Sequence, residues 1–118
     1  MNKKSVLPFS KAVVKKGFIF ISGQIYLTDE GALLEGTIEE QTHQVMKNLQ
    51  QILNKHGADF DDVVKTTIYL TNMNLYGRVN EVYASYFSKS YPAREAVCVS
   101  ELPLGARLEI SMIAMKEK

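Results

Sequence analysis

Pro92-Ala93-Arg94-Glu95-Ala96-Val97-Cys98-Val99 is followed by Leu102-Pro103-Leu104-Gly105-Ala106 and then by Arg107-Leu108-Glu109-Ile110-Ser111-Met112-Ile113-Ala114. It reads as strand, turn, strand. Val97 and Val99 are β-branched, Pro103 and Gly105 mark the turn, and Leu108, Ile110 and Met112 alternate with polar residues. Two ionisable residues, Arg94 and Glu109, sit inside these apolar strands. Each costs free energy there unless it is paired or solvated in a cleft. A cation that can grip a carboxylate and a carboxylate that can handle a proton mark a candidate site. The competing reading is a structural ion pair, or two solvated strand positions.

Register bears on that choice. With residues 101 and 107 as partners across the turn, Arg94 falls opposite Ala114 and Glu109 opposite Val99. The two are then about five residues apart along the strand, or ~16 Å. A simple cross-strand pair is not expected. They either hold two ends of one small ligand or meet across a subunit boundary. Strand periodicity also places Arg94, Ala96, Cys98 and Ser100 on one face.

The remainder of the chain bounds the problem. Its 118 residues suit one domain, 1–118. A net charge of +1 advertises neither nucleic acid nor an anionic membrane. Lys3, Lys4, Lys11, Lys15 and Lys16 make a basic N-terminal end, read as solvated surface and not as an RNA patch. The single cysteine, Cys98, permits no intrachain disulfide and fits a reducing compartment. It is expected as a small buried hydrophobe and not as a nucleophile, since neither histidine has a context that would make it a base. No apolar run is long enough for a signal peptide or a spanning helix, so the expected location is the cytoplasm.

Residues 12–16 and 18–22, joined through Lys15-Lys16-Gly17, read as a β-hairpin. Ser22-Gly23-Gln24 ends the second strand; Gly23 permits close backbone approach and Ser22 offers a hydroxyl. Residues 28–37 read as a loop. Thr37-Ile38-Glu39-Glu40 has the form of a capping box, and Ile38, Val45, Leu49, Ile52 and Leu53 follow at helical spacing. A helix over about 38–56, with Gly57 just past its end, is predicted. His43 and His56 are expected as surface and helix-end residues, because no further ligand stands at metal spacing. Val63–Thr71 reads as a strand with Val64, Ile68 and Leu70 on one face. Leu75, Tyr76, Val79, Tyr83, Tyr86 and Phe87 predict a helix over about 75–88 whose aromatic stripe is core, with Asn80 beside it.

The order β-β-α-β-α-β-β implies an α+β fold, one sheet with both helices on one face. Val97, Val99, Ile110 and Met112 are candidates for its other face or for the helix side. A sheet apolar on both faces needs a second cover, here other copies of the chain. There is no Gly-rich phosphate loop.

At this point the residues resemble a known family along essentially the whole chain. Phe20-Ile21-Ser22-Gly23-Gln24, Glu40-Gln41-Thr42-His43-Gln44-Val45 with Asn48-Leu49, Val64-Lys65-Thr66-Thr67, and Val79-Asn80-Glu81-Val82-Tyr83 with Tyr86-Phe87 are similar to the Rid/YjgF family of reactive enamine/imine deaminases. So, most specifically, are Pro92-Ala93-Arg94, Leu102-Pro103, Leu108-Glu109-Ile110 and Ile113-Ala114. The resemblance implies a chorismate-mutase-like fold with a mixed sheet. It implies a homotrimer around a central barrel, with a ligand cleft at each subunit boundary. It implies hydrolysis of 2-imino and 2-enamino acids to 2-oxo acids and ammonia, without metal or organic cofactor. Arg94 would grip the substrate carboxylate and Glu109 would position or activate water. Ser22, Gly23 and Asn80 would line the pocket.

The chain departs from the best-known deaminase branch in three places. Leu7-Pro8-Phe9 stands for Gly-Pro-Tyr, Arg94-Glu95-Ala96 for Arg-Ser-Cys, and Leu104-Gly105 for Lys-Asp. Phe9 and Ala96 would therefore shape the pocket differently and admit another range of side chains. The alternatives are a non-catalytic protein that binds small carboxylates, and an endoribonuclease, which near-neutral charge and unpaired histidines disfavour.

Overall fold

Alternation of buried and exposed side chains sorts five segments into one mixed sheet. The computed structural model describes residues 7–116. Lys3 and Lys4 of the basic end lie outside the described residues. The strands are β1 (Ala12–Lys15), β2 (Phe18–Gln24), β3 (Val63–Leu70), β4 (Ala93–Cys98) and β5 (Leu108–Met115). The helices are α1 (Ile38–Lys55) and α2 (Tyr76–Ala84). Strand order is β1-β2-β5-β3-β4.

β1 and β2 form the expected hairpin. Lys15 pairs with Phe18, and the two residues between them, Lys16 and Gly17, both take positive φ (51° and 86°). That is the turn whose twist matches paired strands. α1 starts on the predicted capping box: the Thr37 side chain accepts from the Glu40 N–H, and the Glu40 carboxylate accepts from the Thr37 N–H. His56 and Gly57, with φ 76° at Gly57, end it. The predicted helix over 75–88 is shorter in the structure, because residues 85–87 bond three residues back in a tighter turn.

Both helices cover one sheet face. Ile19, Ile21, Ile68, Leu70, Leu108, Ile110, Met112 and Ala114 from the sheet meet Val45, Met46, Leu49 and Leu53 of α1, and Val79 and Tyr83 of α2. α2 is tied to α1 by a two-point contact, Arg78 Nε and Nη2 to the Glu39 carboxylate at 2.8 and 2.9 Å. Those bonds, Arg78's first, hold Glu39's pKa down at about 2.

Three expectations are corrected. First, residues 92–114 are not a hairpin. β4 pairs parallel with β3, and β3 separates it from β5, so Arg94 aligns with Thr66 and Met112, and Glu109 with Tyr69 and Val97. The turn at Pro103–Gly105 reverses the chain but carries it past β3. Second, Val64 does not share a face with Ile68 and Leu70. The register slips between Val63 and Lys65, which buries Val63 and leaves Val64 45% exposed. Third, Cys98 is exposed. It shares the face of Arg94 as predicted, but β4 is an edge strand and α2 does not reach over its end.

The other sheet face is open. Val13, Phe18, Phe20 and Val97 are exposed there, in rows with Ile113, Met115 and Tyr69. Val97 lies on this face, whereas Ile110 and Met112 face the helices.

The cap of α1 carries a testable consequence. Thr37→Ala removes the side-chain acceptor for the Glu40 N–H and should lower unfolding free energy by about 1 kcal/mol. Urea denaturation should show a lower midpoint with an unchanged slope.

Candidate functional site

Arg94 points to the helix side of the sheet, because its aligned neighbours Thr66 and Met112 are buried there. α2 crosses above it. Tyr76, Asn80 and Tyr83 are four and three residues apart, which places them along one helix face. All three meet the guanidinium. Nη1 donates to Asn80 Oδ1 at 2.7 Å and Nη2 donates to the Tyr76 hydroxyl at 2.9 Å. Cζ lies 5.2 Å from the Tyr83 ring centre and 5.5 Å from that of Tyr76, a cation–π arrangement with both. Tyr83 is pinned from beneath, its hydroxyl donating to Thr66 Oγ1 at 3.0 Å. Burial raises the Tyr83 pKa; the Thr66 bond and the Arg94 charge pull the other way without reversing it. The ring is thus a neutral floor under a cation.

Among the described residues no carboxylate pairs with Arg94. An open cleft of about 220 Å³ lies beside it, lined by Asn80, Tyr83, Ala84, Tyr91, Pro92 and Arg94. An uncompensated guanidinium at the wall of a cleft is ready to receive an anion, and its planar fork suits a carboxylate.

Glu109 belongs to the opposite face. It aligns with Tyr69, three positions along β3 from the Thr66 that aligns with Arg94. An odd offset reverses the side, and two strand spacings plus three residues put the two Cα atoms ~14 Å apart. The ion-pair reading of Arg94 and Glu109 is excluded within one chain. The Glu109 carboxylate instead lies over Gly23, in the space a Cβ would fill. It can do so because β2 slips register between Ile21 and Gln24 and carries no side chain at Gly23. Burial raises the Glu109 pKa, which makes its carboxylate a stronger base than a solvated one. Ser22 stands beside Gly23. Its hydroxyl donates to the Ser10 carbonyl at 2.6 Å and its N–H to the Lys11 carbonyl at 2.9 Å. These bonds hold the preceding segment, where Phe9 is 61% exposed, against the end of β2.

The seven predicted residues therefore fall into two groups. Arg94 and Asn80 touch each other, and Ala96 shares their face but packs against the core, outside the lining of the cleft. Ser22, Gly23, Glu109 and Phe9 gather at the end of β2. Reading the sequence missed Tyr76, Tyr83 and Tyr91. The 76–80–83 spacing was visible, but the aromatic residues were assigned wholly to the core.

The histidines lie apart from both groups. His43 Nδ1 is hydrogen-bonded to the Tyr86 hydroxyl at 2.7 Å, and His56 Nδ1 to the Ile52 carbonyl at 3.0 Å. Among the described residues no three His, Cys, Asp or Glu side chains gather as metal ligands. None of the described helices is long and apolar enough to cross a membrane.

Comparison with known proteins gives this geometry a context. Residues 2–116 match the family model described as endoribonuclease L-PSP. The chain is 47% identical over 110 residues to a Mus musculus protein named 2-iminobutanoate/2-iminopropanoate deaminase, covering 92% of this chain and 82% of that one. It superposes on the Rid-family protein YyfA of Yersinia pestis with TM-score 0.91 and 45% identity, covering 94% and 90% of the two chains. E. coli TdcF, solved with bound serine, superposes with TM-score 0.89 and 29% identity, over 96% and 91%.

The contact between β2 and Glu109 can be tested directly. In Gly23→Ala the new methyl and the carboxylate compete for one space. A crystal structure of the variant should show Glu109 rotated away, and denaturation should show a loss of about 1–3 kcal/mol, as for other overpacked sites.

Proposed function

Because the chain belongs to the endoribonuclease L-PSP family, the YjgF/Rid family, we propose that it hydrolyses 2-imino and 2-enamino acids to 2-oxo acids and ammonia. The observation that carries this reading is Arg94: a guanidinium fixed at Asn80 and Tyr76, lying over Tyr83, with a cleft beside it and, among the described residues, no carboxylate to balance it. The mouse relative's name agrees, and the serine in TdcF is itself a small amino acid with a carboxylate.

The chemistry needs little. The substrate carboxylate takes two parallel N–H groups of Arg94. This sets the C=N carbon in a fixed place. Water adds to that carbon; its oxygen forms the new C–O bond as the C=N π pair moves to nitrogen. Glu109 accepts the proton that water loses and returns it to nitrogen. The carbinolamine hydroxyl then gives up its own proton, again by way of Glu109, to the nitrogen; the C–N bond breaks, ammonia leaves, and C=O forms. An enamine first gains a proton at its β-carbon and loses one from nitrogen to become the imine. Each tenfold acceleration requires ~1.4 kcal/mol, so orientation and one proton acceptor suffice for a reaction that proceeds unaided in water.

Arg94 and Glu109 face opposite sides of one sheet, so one chain does not complete the site. We place the cleft between copies, with Arg94 from one and Glu109 from its neighbour. The open face supports this, since Phe18, Phe20, Val13 and Val97 form an apolar surface that a second copy would cover. A ring of three, with the open faces turned inward as a barrel, satisfies every copy equally. Phe9 precedes Ser10, whose carbonyl accepts from the Ser22 hydroxyl, and from there it would meet the substrate side chain. Ala96 would shape the cleft from beneath, through the placing of Arg94. The free thiol of Cys98 suits the cytoplasm, and a small-molecule substrate requires neither nucleic acid nor membrane.

The endoribonuclease in the family's description finds little support in these side chains. His43 and His56 are engaged separately on α1, and net charge is +1. A protein that only binds small carboxylates would use the same Arg94 cleft without turnover.

To test the reading, an amino-acid oxidase generates the imine in situ, and semicarbazide traps whatever has not hydrolysed. Wild type should divert the imine to 2-oxo acid. Arg94→Ala should lose roughly a hundredfold in kcat/KM, the worth of two charge-assisted bonds. Equal rates for the two would overturn the proposal. Stabilisation of wild type by pyruvate without any turnover would establish the binding protein instead. For the assembly, Phe20→Glu places a charge on the open face and should leave single chains in sedimentation velocity, with activity lost. A Phe20→Glu protein of unchanged mass and rate would contradict the shared cleft.

A further inference from the structure

The guanidinium of Arg94 has five N–H groups, and two are already engaged. Asn80 holds Nη1. Tyr76, one helical turn earlier on α2, holds Nη2. The Tyr76 hydroxyl accepts from Arg94 and is bonded to no other group among the described residues, and Tyr76, 37% exposed, adds little to the core. Nor does Tyr76 line the cleft. Its principal engagement is with Arg94, through the hydroxyl and through the face of the ring.

Geometry says what that engagement does. The two N–H bonds of Nη2 diverge by about 120°, so a ligand oxygen on one stands about 5 Å from a hydroxyl on the other at ordinary hydrogen-bond lengths. Tyr76 does not reach the ligand itself. It acts on the fork. Held at one nitrogen only, a guanidinium on four rotatable bonds swings about that contact; held at both, its rotation about Cζ is set. Tyr83 beneath fixes its plane, since that ring is anchored to Thr66.

We propose that Tyr76 is a positioning residue, whose hydroxyl orients the Arg94 fork so that a planar carboxylate is bound through two bonds at once. The inference rests on the reading of Arg94 as the carboxylate anchor. It adds a determinant of specificity: selection of a carboxylate over its neutral amide depends on a phenol outside the cleft.

The test uses calorimetric binding of pyruvate and of pyruvamide to wild type, Tyr76→Phe and Arg94→Ala, with the imine assay alongside. Tyr76→Phe keeps the ring and so keeps the cation–π contact. Its Kd for pyruvate should rise about tenfold, which corresponds to about 1.4 kcal/mol. Its Kd for pyruvamide should stay within twofold, and its Tm should be that of wild type. In the imine assay KM should rise with kcat nearly constant, the pattern of an interaction equal in ground and transition states. Unchanged or tighter pyruvate binding by Tyr76→Phe, or an equal loss for acid and amide, would overturn the proposal. If Arg94→Ala also binds pyruvate as wild type does, the anchor itself has failed, a result distinct from failure at Tyr76 alone.

Discussion

The structure turns on a cation that the fold holds without a counter-charge among the described residues. Arg94 sits among apolar strand residues, where an unbalanced charge is costly. Three side chains of α2 reduce that cost: an amide oxygen, a phenol oxygen and an aromatic face. None of them carries a negative charge, so the charge of the guanidinium is left unbalanced by them. A carboxylate in place of Asn80 would satisfy the guanidinium and close the site. Much of the architecture serves this placement. The Arg78–Glu39 contact ties α2 to α1, the Tyr83–Thr66 bond ties it to β3, and β4 presents Arg94 beneath it.

The second constraint is the face of the sheet. The odd offset of Arg94 and Glu109 on β3 puts the two on opposite faces. The proposed cleft between copies makes use of that separation. A cation and a carboxylate free to meet in one chain would neutralise each other. On opposite faces, neither neutralises the other within one chain. The slip in β2 that brings Gly23 under Glu109 belongs to the same arrangement, because an ordinary side chain there would push the carboxylate aside.

Local signals in the sequence were reliable where the controlling physics is local. The capping box at Thr37 and the β-hairpin closed near Gly17 depend on neighbours within a few residues, and both are found as read. Strand pairing depends on contacts distant in sequence. The stretch from Pro92 to Ala114 has every mark of a hairpin, yet β3 inserts between its arms, and alternation cannot report which strand lies alongside. The slip at Val64 and the edge position of Cys98 escaped for the same reason. Of the site, residue types pointed to Arg94 and Glu109 as exceptional. The roles of Tyr76 and Tyr83 escaped because an aromatic residue at helical spacing looks the same whether it packs on leucine or on arginine. Resemblance to the Rid/YjgF family supplied the substrate class, which spacing alone left open.

The central claim is that one catalytic unit draws Arg94 and Glu109 from different copies, and subunit complementation tests it most directly. Arg94→Ala and Glu109→Ala chains, each inactive alone, are denatured together in equal amounts and refolded as mixed assemblies. In a three-membered ring with random mixing, about a quarter of the clefts then receive both intact residues. The account predicts recovery of about that fraction of wild-type imine hydrolysis in the mixture and none in either variant refolded alone. A mixture that forms hybrid assemblies and stays as inactive as its components would contradict it.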